Sequence, residues 1–130
     1  MRGIVRIAAA GLLALGLTLP ATAASAKSGD VVKRGGCTTA ATWKLKAGPD
    51  DGKIQVEFEV DSNRVGQTWR VRMFRDGNRF FNQLRTTKAP SGSFEVKRIT
   101  ANPPGPDTIR ARAVNVRSGA VCTGSLTFRG

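Results

Sequence analysis

The chain has 130 residues, two cysteines, no histidine and no tyrosine, with 21 Lys and Arg against 9 Asp and Glu, a formal net charge of +12. Without histidine, Ser-His-Asp and Cys-His catalysis is excluded, and so is any metal site built on imidazole. The charge directs attention to polyanions.

The chain opens with the pattern of a secretory signal peptide, 1–26. Arg2 and Arg6 supply the positive start, 7–19 the apolar stretch and Ala24-Ser25-Ala26 the small-residue cleavage site, so the mature protein is expected to begin at Lys27. The apolar stretch is well short of the ~20 residues that a spanning helix needs. No later segment is apolar enough to anchor the chain, so the mature form is expected to be secreted, extracellular and without an integral membrane segment. No cysteine stands directly after the cleavage site, which removes the residue that lipoprotein acylation requires.

Residues 27–36 read as a flexible N-terminal segment, and 37–130 as one domain large enough to bury a core. Cys37 and Cys122 are an even pair in an exported chain, which favours one structural disulfide over free thiols or a metal site. A bond between them closes a loop of most of the domain and stabilises it by roughly 4.5 kcal/mol in the chain-entropy picture.

From Thr38 onward, short alternating runs are separated by turn residues every eight to twelve positions. Trp43, Leu45 and Ala47 alternate with lysines, and Gly48-Pro49-Asp50-Asp51-Gly52 turns the chain into Ile54, Val56, Phe58 and Val60. A loop, 61–67, leads to Trp69, Val71 and Met73, interleaved with Arg70 and Arg72. Asp76-Gly77 then supplies the positive-φ pair of a two-residue hairpin turn. The fourth strand is predicted over 78–84 and the fifth over 93–99, with Phe94 and Val96 inward. Asn102-Pro103-Pro104-Gly105-Pro106 cannot pair in a sheet and must cross between layers. The sixth strand, 108–116, sends Ile109, Ala111 and Ala113 one way and Arg110 and Arg112 the other. The last, 121–128, offers Leu126 and Phe128 to the core. Seven short strands predict an all-β antiparallel sandwich of the immunoglobulin-like kind.

The run Arg110-Ala111-Arg112-Ala113-Val114-Asn115, with Gly119 following, resembles the sixth strand of fibronectin type III modules. Trp69-Arg70-Val71-Arg72, followed by Asp76-Gly77-Asn78, is similar to their third strand and its hairpin. The chain departs from the family in lacking the sixth-strand tyrosine, in carrying Phe58 where a second-strand tryptophan is usual, in lacking an Arg-Gly-Asp loop and in having a disulfide. The Gly/Ala-rich leader and arginine-heavy domain suggest a GC-rich bacterium as the source. The resemblance implies that strands one, two and five form one sheet and strands three, four, six and seven the other.

That partition separates the charges. On the first sheet Lys44, Lys46 and Lys97 face Glu57, Glu59 and Glu95 and can pair across strands. On the second, Arg70 and Arg72 lie beside Arg110 and Arg112, with Arg79 or Arg85 at the border and no outward carboxylate. A simple two-residue hairpin places Phe81 opposite Arg72 and Phe74 outward near Arg79. Two readings compete: a docking surface for phosphate or carboxylate groups formed by Arg70, Arg72, Arg79, Arg110, Arg112 and Phe81, or arginine stems that cover the sheet while their heads stay in water.

Catalytic residues, metal ligands and cofactors are not expected. Asp50-Asp51 and Asp61 sit at turns, where aspartate bonds its own backbone, one adjacent acidic pair is too little for calcium, and no glycine-rich phosphate loop opens a helix. The expected function is that of a secreted, non-enzymatic binding module for an anionic polymer, whether cell-wall polymer, acidic glycan or nucleic acid. The alternative is an inhibitor or effector that meets a protein partner through loops 61–67 or 101–107. A small hydrolase acting through carboxylates such as Asp50 or Asp51 is a third reading.

Overall fold

A computed structural model describes residues 29–130; the expected signal peptide, 1–26, and the start at Lys27 lie outside the described residues. The described residues form eight strands: β1 (Val31–Gly36), β2 (Thr42–Asp50), β3 (Lys53–Asp61), β4 (Thr68–Arg75), β5 (Asn78–Thr86), β6 (Ser93–Thr100), β7 (Asp107–Asn115) and β8 (Val121–Phe128). No helix is present among the described residues. The strands make two antiparallel four-stranded sheets, ordered β1-β2-β3-β6 and β5-β4-β7-β8, which form a β-sandwich over one core.

The eighth strand corrects the expectation of seven. Residues 31–36, read as flexible, pair with β2 from Val31↔Ala47 to Gly36↔Thr42. Their sequence, Val-Val-Lys-Arg-Gly-Gly, has no two-residue alternation to announce a strand. The edge of β2 nevertheless presents unpaired N–H and C=O groups, and an extended segment of any composition can satisfy them.

Alternation decides the rest. Leu45, Ile54, Val56, Phe58, Val60, Trp69, Val71, Met73, Ile109, Ala111, Ala113 and Phe128 are buried between the sheets. Burial of each large side chain removes apolar surface worth about 1.5–3 kcal/mol from water. Two hairpins fix the register. Asp51-Gly52 and Asp76-Gly77 both have positive φ, at 49° and 76° and at 48° and 82°, the geometry whose twist matches that of the flanking strands. The first of these turns is tighter than expected, because Gly48, Pro49 and Asp50 remain paired with Gln55, Ile54 and Lys53. The proline-rich segment 101–106 carries the chain from β6 in one sheet to β7 in the other.

Both open sides of the sandwich are sealed by side chains. On one side the indole of Trp43 lies between Gly35 of β1 and Gly124 of β8, with its Nε1 donating to the Gly36 carbonyl at 3.1 Å. Beside it the Cys37–Cys122 disulfide joins the β1–β2 connection to β8, with a sequence separation of 85 and a Cα–Cα distance of 4.3 Å. Thr38 N–H donates to Val121 O at 2.9 Å, and Val121 N–H donates to Thr38 Oγ1 at 2.9 Å. On the other side Phe81 closes the core beneath Arg85 from β5 and Arg98 from β6, whose guanidinium carbons lie 5.2 and 5.0 Å from the ring centroid. Inward-pointing charge at two neighbouring edge strands discourages pairing with another chain. No helix among the described residues is long and apolar enough to cross a membrane.

Candidate polyanion-binding face

The outer surface of the β5-β4-β7-β8 sheet gathers five arginines through register. Arg72 pairs directly with Arg112, Phe74 with Arg110, and Arg70 with Val114. On the β5 side Phe74 pairs with Arg79, Arg72 with Asn82 and Arg70 with Leu84. The outward positions therefore form three rows: Arg79, Phe74, Arg110 and Ser125; Asn82, Arg72, Arg112 and Thr123; Leu84, Arg70, Val114 and Val121. Side chains two residues apart on one strand are separated by about 6.8 Å and those on adjacent strands by about 4.8 Å, so the arginines make a short ladder along the strands.

All nine carboxylates of the chain lie within the described residues, and none comes within ion-pair distance of Arg70, Arg72, Arg79, Arg110 or Arg112. The ion pairs go elsewhere. Lys46 meets Asp30 at 3.3 Å and Glu57 at 3.6 Å, and Lys97 meets Glu57 at 3.3 Å and Glu95 at 3.6 Å, all on the opposite sheet. Glu57 first and Glu95 second hold the Lys97 ammonium above its ordinary pKa. One sheet face thus ion-pairs Lys46 and Lys97, though Lys44 and Glu59, in register there, form no ion pair, while the other carries cations without acidic partners. Among the latter, Arg70 donates to Asn82 Oδ1 at 3.3 Å, which takes up an acceptor on its own face.

Phe81 does not belong to this face. Between Met73 and Phe74 the β4–β5 register shifts by one residue, so Phe81 pairs with Met73 and is buried at 4% exposure. The extra residue, Phe80, also packs against the core. A one-residue slip exchanges the two faces of a strand, and a bulge does this part-way along. Arg85, a candidate for the border, is carried inward for the same reason and lies over Phe81. Phe74, before the shift, keeps its outward position.

Of the aspartates expected at turns, Asp50 is instead the last residue of β2, paired with Lys53. Asp61 Oδ1 accepts from Asn63 N–H at 2.9 Å, and Asp51 occupies the positive-φ turn position. The arrangement that sequence reasoning missed is at the other end of β4. Arg75 Nη1 lies 3.4 Å from Asp76 Oδ2 and 3.5 Å from Asp107 Oδ1, and Asp76 Oδ1 accepts from Thr108 N–H at 2.8 Å. Asp107 is 1% exposed and its Oδ2 has no hydrogen-bond partner. Burial first, and the neighbouring Asp76 second, push its carboxyl pKa up against the opposing pull of Arg75. The signal was available: Asp107 shares the alternation of Ile109, Ala111 and Ala113, which assigns it to the inner face. This cluster takes Arg75 out of the set of unpaired arginines. Among the described residues no group of three or more His, Cys, Asp or Glu side chains converges in a way that could hold a metal ion.

Comparison with protein-family models, with curated proteins and with solved structures gives no match for this chain.

Proposed function

We propose that this protein is a secreted, non-enzymatic module that binds an anionic polymer through the arginine face of the β5-β4-β7-β8 sheet, on a domain of the fibronectin type III or immunoglobulin-like kind. The single observation that carries the reading is the juxtaposition of Arg72 with Arg112, flanked by Arg70, Arg79 and Arg110, with no carboxylate in reach. Like charges directly opposite on paired strands oppose folding by a few tenths of a kcal/mol, and an external anion relieves that repulsion. The guanidinium fork bonds two oxygens of a phosphate, sulfate or carboxylate at once. The strand order supports the family-like assignment: β2-β3-β6 and β5-β4-β7-β8 are the groupings that the resemblance implies, with β1 added at an edge.

The test is retention on immobilised heparin in a salt gradient. Changing Arg70, Arg72, Arg110 and Arg112 to Gln is expected to bring elution to much lower salt. A charge-matched variant with Lys33, Arg34, Lys53 and Arg129 changed to Gln, all exposed and off this face, is expected to shift it far less. Equal shifts for the two variants would show that net charge alone governs retention and would remove the face from the account.

The loop reading keeps one supporting observation. Val65 and Val116 are 58% and 57% exposed at a cleft of about 510 Å³ between 64–68 and 115–118, flanked by Arg64 and Arg117. A protein partner docking there would lose affinity on changing Val65 and Val116 to Ser, with heparin retention untouched.

A further inference from the structure

We infer that the polymer recognised by the arginine face is a single-stranded nucleic acid, with Phe74 as a stacking platform held between Arg79 and Arg110; the inference rests on the polyanion reading above and narrows it. Phe74 pairs with Arg79 across β5 and with Arg110 across β7. It is half-buried, and the hydrophobic side chains packed on the core do not include it. An aromatic ring on the outer surface with a cation in register on each side is an arrangement that a solubilising charge layer does not require.

The hydrogen-bonding chemistry of the face selects among polyanions. Guanidinium groups donate and never accept. Sugar hydroxyls both donate and accept, so a glycan stacked on Phe74 needs acceptors beside the ring. The rows around it hold no carboxylate, the Asn82 carbonyl is already engaged by Arg70, and the remaining acceptors, the Ser125 and Thr123 hydroxyls, lie on β8, beyond Arg110 and Arg112 from the ring. Phosphodiester oxygens only accept, which matches five guanidinium groups without remainder. The ring supplies the second requirement, because a base offers a flat π face and base–aromatic stacking is tolerant of sequence. A duplex keeps its bases stacked on one another, so only a single strand can bring a base onto Phe74 while its phosphates follow the ladder from Arg79 and Arg110 through Arg72 and Arg112 to Arg70.

The experiment compares a fluorescein-labelled oligothymidylate with an abasic deoxyribose-phosphate oligomer of the same length, by anisotropy at low salt. Heparin binding is measured in parallel. The protein is expected to bind the oligothymidylate more tightly than the abasic oligomer. Phe74→Leu, which keeps apolar volume but loses the π face, is expected to weaken oligothymidylate binding by about tenfold and to leave the abasic oligomer and heparin unchanged. Phe74→Trp should keep the preference, which separates stacking from damage to the fold. Equal affinity for the two oligomers with heparin still bound, or a Phe74→Leu variant that weakens both oligomers alike, overturns the nucleic-acid inference and leaves the polyanion reading standing. Absence of binding to all three polymers overturns both.

Discussion

Gly124 and Trp43 are in such close contact that a methyl group on Gly124 would lie 2.6 Å from Cζ3 of the indole. Gly35 approaches the other part of the same ring system, 2.6 Å from Cζ2 on the same measure. The glycines therefore serve as walls of a slot, and their conformational freedom is incidental. Gly124→Ala is expected to destabilise the domain by about 1–3 kcal/mol through overpacking, read as a lower urea midpoint. In a Trp43→Leu background the same substitution should cost much less. That difference is a coupling between two touching residues, and equal costs in both backgrounds would place the strain elsewhere.

The Arg72–Arg112 pair should weaken the fold that carries it. Arg112→Thr is expected to stabilise the protein by a few tenths of a kcal/mol at low ionic strength, with the gain shrinking as salt screens the repulsion. The same substitution should flatten the salt dependence of polymer binding, by about 0.7 in the log–log slope for each phosphate of a single strand that the variant no longer neutralises. Thermal midpoints and anisotropy titrations on one variant thus test opposite consequences of one pairing.

Asp107 makes stability depend on pH in the direction opposite to that of an ordinary ion-paired carboxylate. Its folded pKa is raised above the ordinary 3.8 by burial and by Asp76, so in that window the folded state holds more protons than the unfolded one. Its favourable contribution is complete below the ordinary value and is lost as pH rises through the raised one. Asp107→Asn should flatten this fall between acidic and neutral pH. Urea midpoints measured across that range would refute the assignment if the variant and the parent ran parallel.

Reduction of the Cys37–Cys122 bridge, or its replacement by Ser at both positions, is expected to cost about 2–5 kcal/mol, because the unfolded chain regains the freedom of an 85-residue separation. Polymer binding at temperatures where the reduced domain remains folded should be unchanged, since Cys122 faces the core whereas the arginines lie on the outer surface of the sheet. Denaturation with and without reductant, paired with heparin retention, checks both parts.

The division of the strands between sheets is legible because a two-residue period assigns every side chain to a face, and Asp76-Gly77 fixes where β4 becomes β5. Those two signals are enough to bring Arg70, Arg72, Arg110 and Arg112 onto one surface. Alternation misplaces Phe81 because the period holds only while register holds, and the insertion at Phe80 leaves no composition mark. The strand at 31–36 is unreadable for a different reason: its place is decided by the backbone edge of β2, to which sequence pattern is blind. Asp107 and Arg98 carry a readable signal that their charge obscures, each falling on the inward beat of its strand where apolar residues precede or follow it.

Cys122 belongs to the last strand, and its partner lies just after the first. The covalent link therefore cannot close on a chain that ends before Cys122: it ties the connection after β1 in one sheet to β8 in the other. Any product lacking the C-terminal strand would carry an unpaired thiol at Cys37, so labelling by a thiol reagent under denaturing conditions would report incomplete molecules directly.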